Sequence, residues 1–179
     1  RTPVDGIRGS AQSIAADHPG LGADRLCDSA REMAVMVDDL LDNAAIEAGA
    51  LRIRPEPASL ADLMNRIDQR WQPEFAARGL TLGLVLEPTL PDWVLVDRMR
   101  LTQCVSNLID NALRMTVQGG VTLTLSSHPK GLMAEVTDTG PGLPEGAEHR
   151  LFRPFDSLDP ESRSGTGLGL SICRGLALA

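Results

Sequence analysis

From Leu26 to Leu51, apolar residues recur at steps of three and four, as Leu26, Ala30, Met33, Val37, Leu40, Ala44, Ala48 and Leu51. No other feature limits the fold so strongly. A stripe this regular over about seven turns is a helix with a narrow seam. Upstream, Val4, Ile7, Ala11 and Ile14 repeat the spacing, and the turn formers Asp17-His18-Pro19-Gly20-Leu21-Gly22 separate the two runs. The expectation is a helical hairpin. Such a hairpin cannot bury its stripe alone, so a two-chain, four-helix bundle is the natural solution. The alternative is packing against the neighbouring domain of the same chain.

After Gly49 the pattern changes. Arg52–Pro57 suits a linker or edge strand, because its prolines, Pro55 and Pro57, interrupt a ladder. Ser59, with Asp62 three residues on, marks a helix start. Leu60, Leu63, Met64, Ile67, Trp71 and Phe75 form that helix's apolar face, and Gly79 ends it. Leu80–Leu86 alternates as a strand, and Trp93–Val96 reads as a short buried one. Asp97 caps a helix with the stripe Leu101, Cys104, Val105, Leu108 and Ala112. Gly119-Gly120 leads into Val121–Leu125, and His128–Gly131 turns into Leu132–Thr137. A last helix starts near Gly169. Helices interspersed with hairpin strands indicate an α+β sandwich on one mixed sheet. The expected division is residues 1–51 for the hairpin and 52–179 for the α/β domain.

A formal charge of −7 argues against a nucleic-acid surface, which must be basic to displace counterions. No apolar run approaches the roughly 18–20 residues of a membrane span. Cys27, Cys104 and Cys173 are scattered without metal-ligand spacing and read as small buried hydrophobes in a reducing, cytoplasmic compartment.

Three segments carry chemistry. In Asn107-Leu-Ile-Asp-Asn111-Ala-Leu-Arg114 the two amides lie four apart on one helix face, with Arg114 three further on. An amide oxygen can ligate Mg²⁺, and its NH₂ and a guanidinium can reach phosphate. A merely solvated face is the plain alternative. In Asp138-Thr139-Gly140-Pro141-Gly142 the glycines let backbone approach a planar ligand, and the carboxylate can accept from an exocyclic amine. A tight turn capped by Asp reads as well. In Gly165-Thr166-Gly167-Leu168-Gly169-Leu170 the glycines lead into a helix whose N-terminus suits phosphate. No Lys-Ser/Thr ending makes it a Walker loop, and no strand precedes it as in a dinucleotide fingerprint.

In this order the three segments resemble the asparagine box and two glycine boxes of sensor histidine kinases, within the gyrase–Hsp90–kinase–MutL ATPase superfamily. Leu151–Phe155 is similar to that family's phenylalanine box, at the root of a lid over ATP. Asp97, Arg100 and Gln103 match the run into the asparagine box. Arg1-Thr2-Pro3 resembles the tail of the histidine box, and Ile46–Gly49 the end of the hairpin's second helix. Met115 departs, standing where the family usually has an aromatic. The resemblance also places the acceptor histidine before Arg1, and further strands after Ala179.

What the resemblance implies is a kinase core. Asn111 would hold Mg²⁺, while Asn107 and Arg114 would contact the phosphates of ATP. Asp138 would bind the adenine amine, with Gly140 and Gly142 shaping the base pocket. Gly165, Thr166, Gly167, Leu168, Gly169 and Leu170 would close over the triphosphate, joined by Arg163 as a γ-phosphate contact or else a solvated lid charge. Phe152 and Phe155 would anchor the lid. The γ-phosphoryl would pass to a histidine and then to an aspartate of a response-regulator receiver domain. Thr2 would help dephosphorylate that regulator, or simply precede a helix-bending proline. His18, His128 and His149 sit in or beside loops and are poor acceptors. A hydrolytic relative would need a glutamate at position 107 to activate water, and Asn107 cannot be that base. The remaining alternative is a pseudokinase or nucleotide-sensing scaffold.

Overall fold

A computed structural model describes residues 23–156 and 167–179, with side chains from residue 29 on except Arg31. The expected first helix, the turn after it, Thr2, His18, Arg163, Gly165 and Thr166 lie outside the described residues. Helix α1 (Ala23–Glu47) carries the seam as far as Ala44, while Ala48 and Leu51 of the expected stripe lie beyond its end. Strand β1 (Glu56–Ser59), helix α2 (Leu60–Ala77), β2 (Thr81–Leu86), β3 (Trp93–Val96), α3 (Arg98–Met115), β4 (Gly120–His128) and β5 (Gly131–Asp138) follow. A short 3₁₀ turn (Ala147–His149) and helix α4 (Gly169–Leu178) complete the described residues.

The sheet is mixed, as expected. β2 pairs parallel with β4, Thr81 opposite Gly120, and β4 pairs antiparallel with β5, Val121 opposite Asp138. Val121, Leu123 and Leu125 point inward from β4, and between them Thr122 and Thr124 do not, which is the period-2 pattern of a half-buried strand. Onto this face α2 presents Leu60, Leu63, Met64, Ile67, Trp71 and Phe75, the residues its periodicity marked out. Each large apolar side chain so buried contributes about 1.5–3 kcal/mol. The start of α2 follows from its cap: Ser59 Oγ accepts from the Asp62 amide at 3.3 Å.

Two expectations shift. β3 is not a buried strand: Trp93 is 63% and Leu95 72% exposed. Among the described residues it pairs only with β1, as a two-stranded ribbon, and it is the Val94 side that meets the core. On α3 the deeply buried positions are Val105, Ile109, Ala112 and Leu113, so Val105 and Ala112 of the expected stripe are buried while Leu101, Cys104 and Leu108 are only partly covered. The reason is that α3 has two covered sides. One meets the sheet, while Cys104 on the other joins Leu168, Ile172 and Leu176 of α4 in a second apolar cluster.

Helix α1 lies against this second cluster. Arg100 Nη1 donates to Asp42 Oδ2 at 2.6 Å and Gln103 Nε2 donates to the same oxygen at 2.7 Å. Gly175 permits the close approach of α4, since a Cβ there would come within 2.6 Å of the Ile46 side chain. The linker is pinned as well: the Arg54 amide donates to Asp97 Oδ2 at 2.9 Å.

Candidate functional site

Asp97 starts α3 by accepting from the Arg100 amide at 3.1 Å, and this fixes which face the later turns present. Asn107, Asn111 and Arg114 fall half-buried on a common side. Arg114 Nη2 donates to Asn111 Oδ1 at 2.6 Å and pairs with Asp110 at 3.0 Å. The amide oxygen of Asn111 therefore already faces a cationic group, the environment a metal ion would also supply. Asn107 Nδ2 donates to the Gly169 carbonyl at 3.2 Å, across a sequence separation of 62 residues. That contact joins the asparagine segment to the second glycine segment.

The C-terminal end of α3 meets the first glycine segment. A Cβ on Gly140 would lie 3.0 Å from the Met115 carbonyl oxygen and 2.7 Å from Asp138 Oδ1, so only glycine fits. Asp138 is exposed at the end of β5, and its Oδ1 accepts from the Gly140 amide at 2.8 Å. This leaves the second carboxylate oxygen for another donor. Thr139 braces the turn, donating to the Gln118 carbonyl at 2.6 Å and accepting from the Gly120 amide at 3.1 Å. Beside it opens a groove of about 410 Å³ lined by Val117, Gln118, Thr139, Gly140 and Pro141. Thr116, at the C-cap of α3, buries its hydroxyl with no hydrogen-bond partner among the described residues. An orphaned buried hydroxyl costs about 1–3 kcal/mol, and such a group at this junction fits a polar ligand or water.

The second glycine segment opens α4. Gly167 has φ +67° and accepts from the Phe155 amide at 3.0 Å. A Cβ on Gly169 would sit 3.4 Å from Asn107 Cγ, so the first turn of α4 lies close against the asparagine face. First-turn amides of a helix have no intrahelical acceptor, which suits an anion. Phe155 itself adopts a left-handed φ of 62°, uncommon for a non-glycine residue. Both expected lid anchors have exposed rings, Phe155 at 65% and Phe152 at 42%. Phe155 holds Gly167 through its backbone, and Phe152 lies under the Arg174 guanidinium at 5.8 Å.

Thus α3 is the spine on which all three segments meet. Of the residues expected from sequence, Asn107 meets Gly169, Arg114 meets Asn111, and Gly140 meets Asp138 and the end of α3. Gly142 stands apart from the close contacts, with φ +73° and open space around it. Thr116 and the groove-lining Val117 and Gln118 were not among the expected residues, while Thr139 stood within the first glycine segment. A Thr directly after the helix and a glycine pair before β4 were the available signals.

Residues 96–179 match the family of histidine kinase-, DNA gyrase B-, and HSP90-like ATPases. Along 98% of its length the chain is 34% identical to the sensor histidine kinase RcsC of Escherichia coli (strain K12), covering 19% of that protein. The chain is homologous to sensor histidine kinases. It spans about a fifth of the curated relatives it matches. Among solved structures, full-length ShkA in complex with AMPPNP is similar over 99% of this chain and 38% of that one, with a TM-score of 0.82 and 30% identity. The catalytic domain of histidine kinase ThkA matches 69% of this chain and 79% of its own, with a TM-score of 0.59 and 26% identity. The described residues form an α+β fold, and no helix among them is long and apolar enough to cross a membrane.

Proposed function

We propose that this chain is the core of a protein histidine kinase in a two-component system, with residues 1–51 as its dimerisation and phosphotransfer hairpin and 52–179 as its catalytic domain. The observation that carries the reading is the meeting of both glycine segments on α3, at Gly140 and at Gly169. Asp138 takes the adenine amine, with Gly140 and Gly142 beneath the base. Asn107, Arg114 and the segment Gly167–Leu170 take the phosphates, with Arg163, Gly165 and Thr166 completing that set.

The metal is Mg²⁺ on Asn111. Among the described residues no three His, Cys, Asp or Glu side chains cluster as metal ligands. A hard cation here would keep waters and phosphate oxygens as its other ligands, as Mg²⁺ does. With nucleotide bound, the Arg114 guanidinium would serve phosphate and the Asn111 oxygen would be left to hold the metal. The metal would supply charge neutralisation on the phosphates, while the protein's part is positioning and water exclusion. The phosphoryl group goes to a histidine that the histidine-box resemblance puts ahead of Arg1, and then to a receiver-domain aspartate.

The seam of α1 supports a homodimer. Asp39 and Asp42 turn toward the catalytic domain, whereas Met33 and Leu40 are exposed, at 58% and 43%. An exposed apolar stripe opposite a docked polar one is the face a second copy would cover. The proposed location is the cytoplasm, where ATP and a receiver partner are found together.

The test is phosphoryl transfer. A longer protein carrying the preceding segment, incubated with γ-labelled ATP, should acquire label that is lost in acid and kept in base. Tight ATP binding with no label at all would favour the scaffold reading instead.

A further inference from the structure

The cysteines that look scattered in sequence are not all apart in space. Cys104 on α3 and Cys173 on α4 face one another, with Cys173 Sγ 3.5 Å from the Cys104 carbonyl oxygen. Both are reduced, Cys173 buried and Cys104 half-buried. They lie one turn from the Asn107–Gly169 contact: Asn107 follows Cys104 by three residues, and Gly169 precedes Cys173 by four. The surrounding polar groups are Arg100 from α3, Asp39 and Asp42 from α1, and the Asn107 amide.

The two thiols are not equivalent. The Cys104 thiol is lowered, chiefly by its hydrogen bond with Cys173 and also by the Arg100 guanidinium, against the opposing effect of burial. The Cys173 thiol is pushed up by that same hydrogen bond, by burial and by nearby negative charge. One sulfur is thus suited to attack as thiolate, and the other to stay protonated until it resolves the product.

We propose that Cys104 and Cys173 form a peroxide-sensitive thiol pair whose closure to a disulfide weakens nucleotide binding. The Cys104 thiolate attacks a hydroperoxide oxygen, breaking the O–O bond. The sulfur is oxidised to sulfenic acid, and the departing alkoxide or hydroxide takes a proton to leave as alcohol or water. Cys173 then attacks the sulfenic sulfur. Its proton leaves with the displaced hydroxide as a second water, and the S–S bond joins α3 to α4. A disulfide requires Cβ atoms about 3.8 Å apart, so closure holds α4 against α3. That keeps the Asn107 amide on the Gly169 carbonyl and away from phosphate. The second half of this inference rests on the nucleotide reading above.

The experiment uses the chain with Cys27→Ser, so that no third thiol competes. After hydrogen peroxide treatment, the expected product has lost two hydrogens in mass and yields a linked peptide pair containing Cys104 and Cys173. Mg-ATP titrations of the oxidised form should give a dissociation constant raised by about threefold or more, restored by dithiothreitol. Cys104→Ser and Cys173→Ser should each abolish both the link and the peroxide effect. Oxygen gain without a linked pair overturns the thiol pair, and a linked pair with unchanged affinity overturns its regulatory role. If the reduced protein binds no Mg-ATP, the nucleotide reading and the affinity claim fall together, while the peptide map still judges the thiol pair by itself.

Discussion

Asp97 serves two segments with one carboxylate, capping α3 through the Arg100 amide and holding the linker through the Arg54 amide. Burial would raise its pKa, but those two amides and the Arg100 guanidinium outweigh it, and the group lies below the ordinary 3.8. A depressed folded pKa gives stability that is present above the unfolded value and lost as pH falls through the folded one. Asp97→Ala should therefore cost about 0.5–2 kcal/mol near neutral pH, the usual worth of an N-cap. In urea titrations the gap from wild type should hold from pH 7 to about pH 5 and narrow below about pH 4. A gap that widened on acidification would contradict this account. Asn111 offers a second test at this scale. Asn111→Ala should sharply weaken Mg²⁺-dependent ATP binding in calorimetry and leave the fold intact, since the residue is only half-buried. Equal affinities with and without the side chain would remove it from the metal role.

Among the elements, legibility follows local cause. The start of α2 was readable because Ser59 and Asp62 encode it, and its face because six apolar residues keep helical spacing. β3 was misjudged for the opposite reason. Trp-Val-Leu-Val carries no polar alternation, and only the pairing with β1 alone reveals that one side is bare. The buried register of α3 was only partly legible, in Val105 and Ala112, because α4 covers its second side from 60 to 70 residues away in sequence. For α1 the seam was plain, but its docking through Asp42 to Arg100 and Gln103 was not, as charged residues are ordinarily read as solvated. That docking leaves the seam outward, and the consequence is measurable. Val37→Asp should convert a sedimenting dimer to monomer, because a lone charge buried in an apolar interface costs several kcal/mol. A wild-type chain that is monomeric at high micromolar concentration would reject the seam as an interface.

At the scale of the whole molecule, the site was legible as segments but not as a place. The sequence shows amides, glycines and a carboxylate suited to nucleotide; only the folded α3 shows Gly140 at one end and Gly169 at its middle. The groove and the orphaned Thr116 hydroxyl were invisible, since both arise where separate elements abut. The same geometry separates a kinase core from a hydrolase. Hydrolysis needs a base close to the phosphates that can take a proton from water. In the proposed nucleotide site that place belongs to Asn107, whose amide is bound to the Gly169 carbonyl and has no basic lone pair to offer. Asp110, the nearest carboxylate in sequence, is tied to Arg114 at 3.0 Å. Residues 1–179 should therefore bind Mg-ATP yet release phosphate only very slowly, as followed by a coupled phosphate assay. Brisk turnover by this chain alone would favour a hydrolase, and would require a base that α3 does not provide.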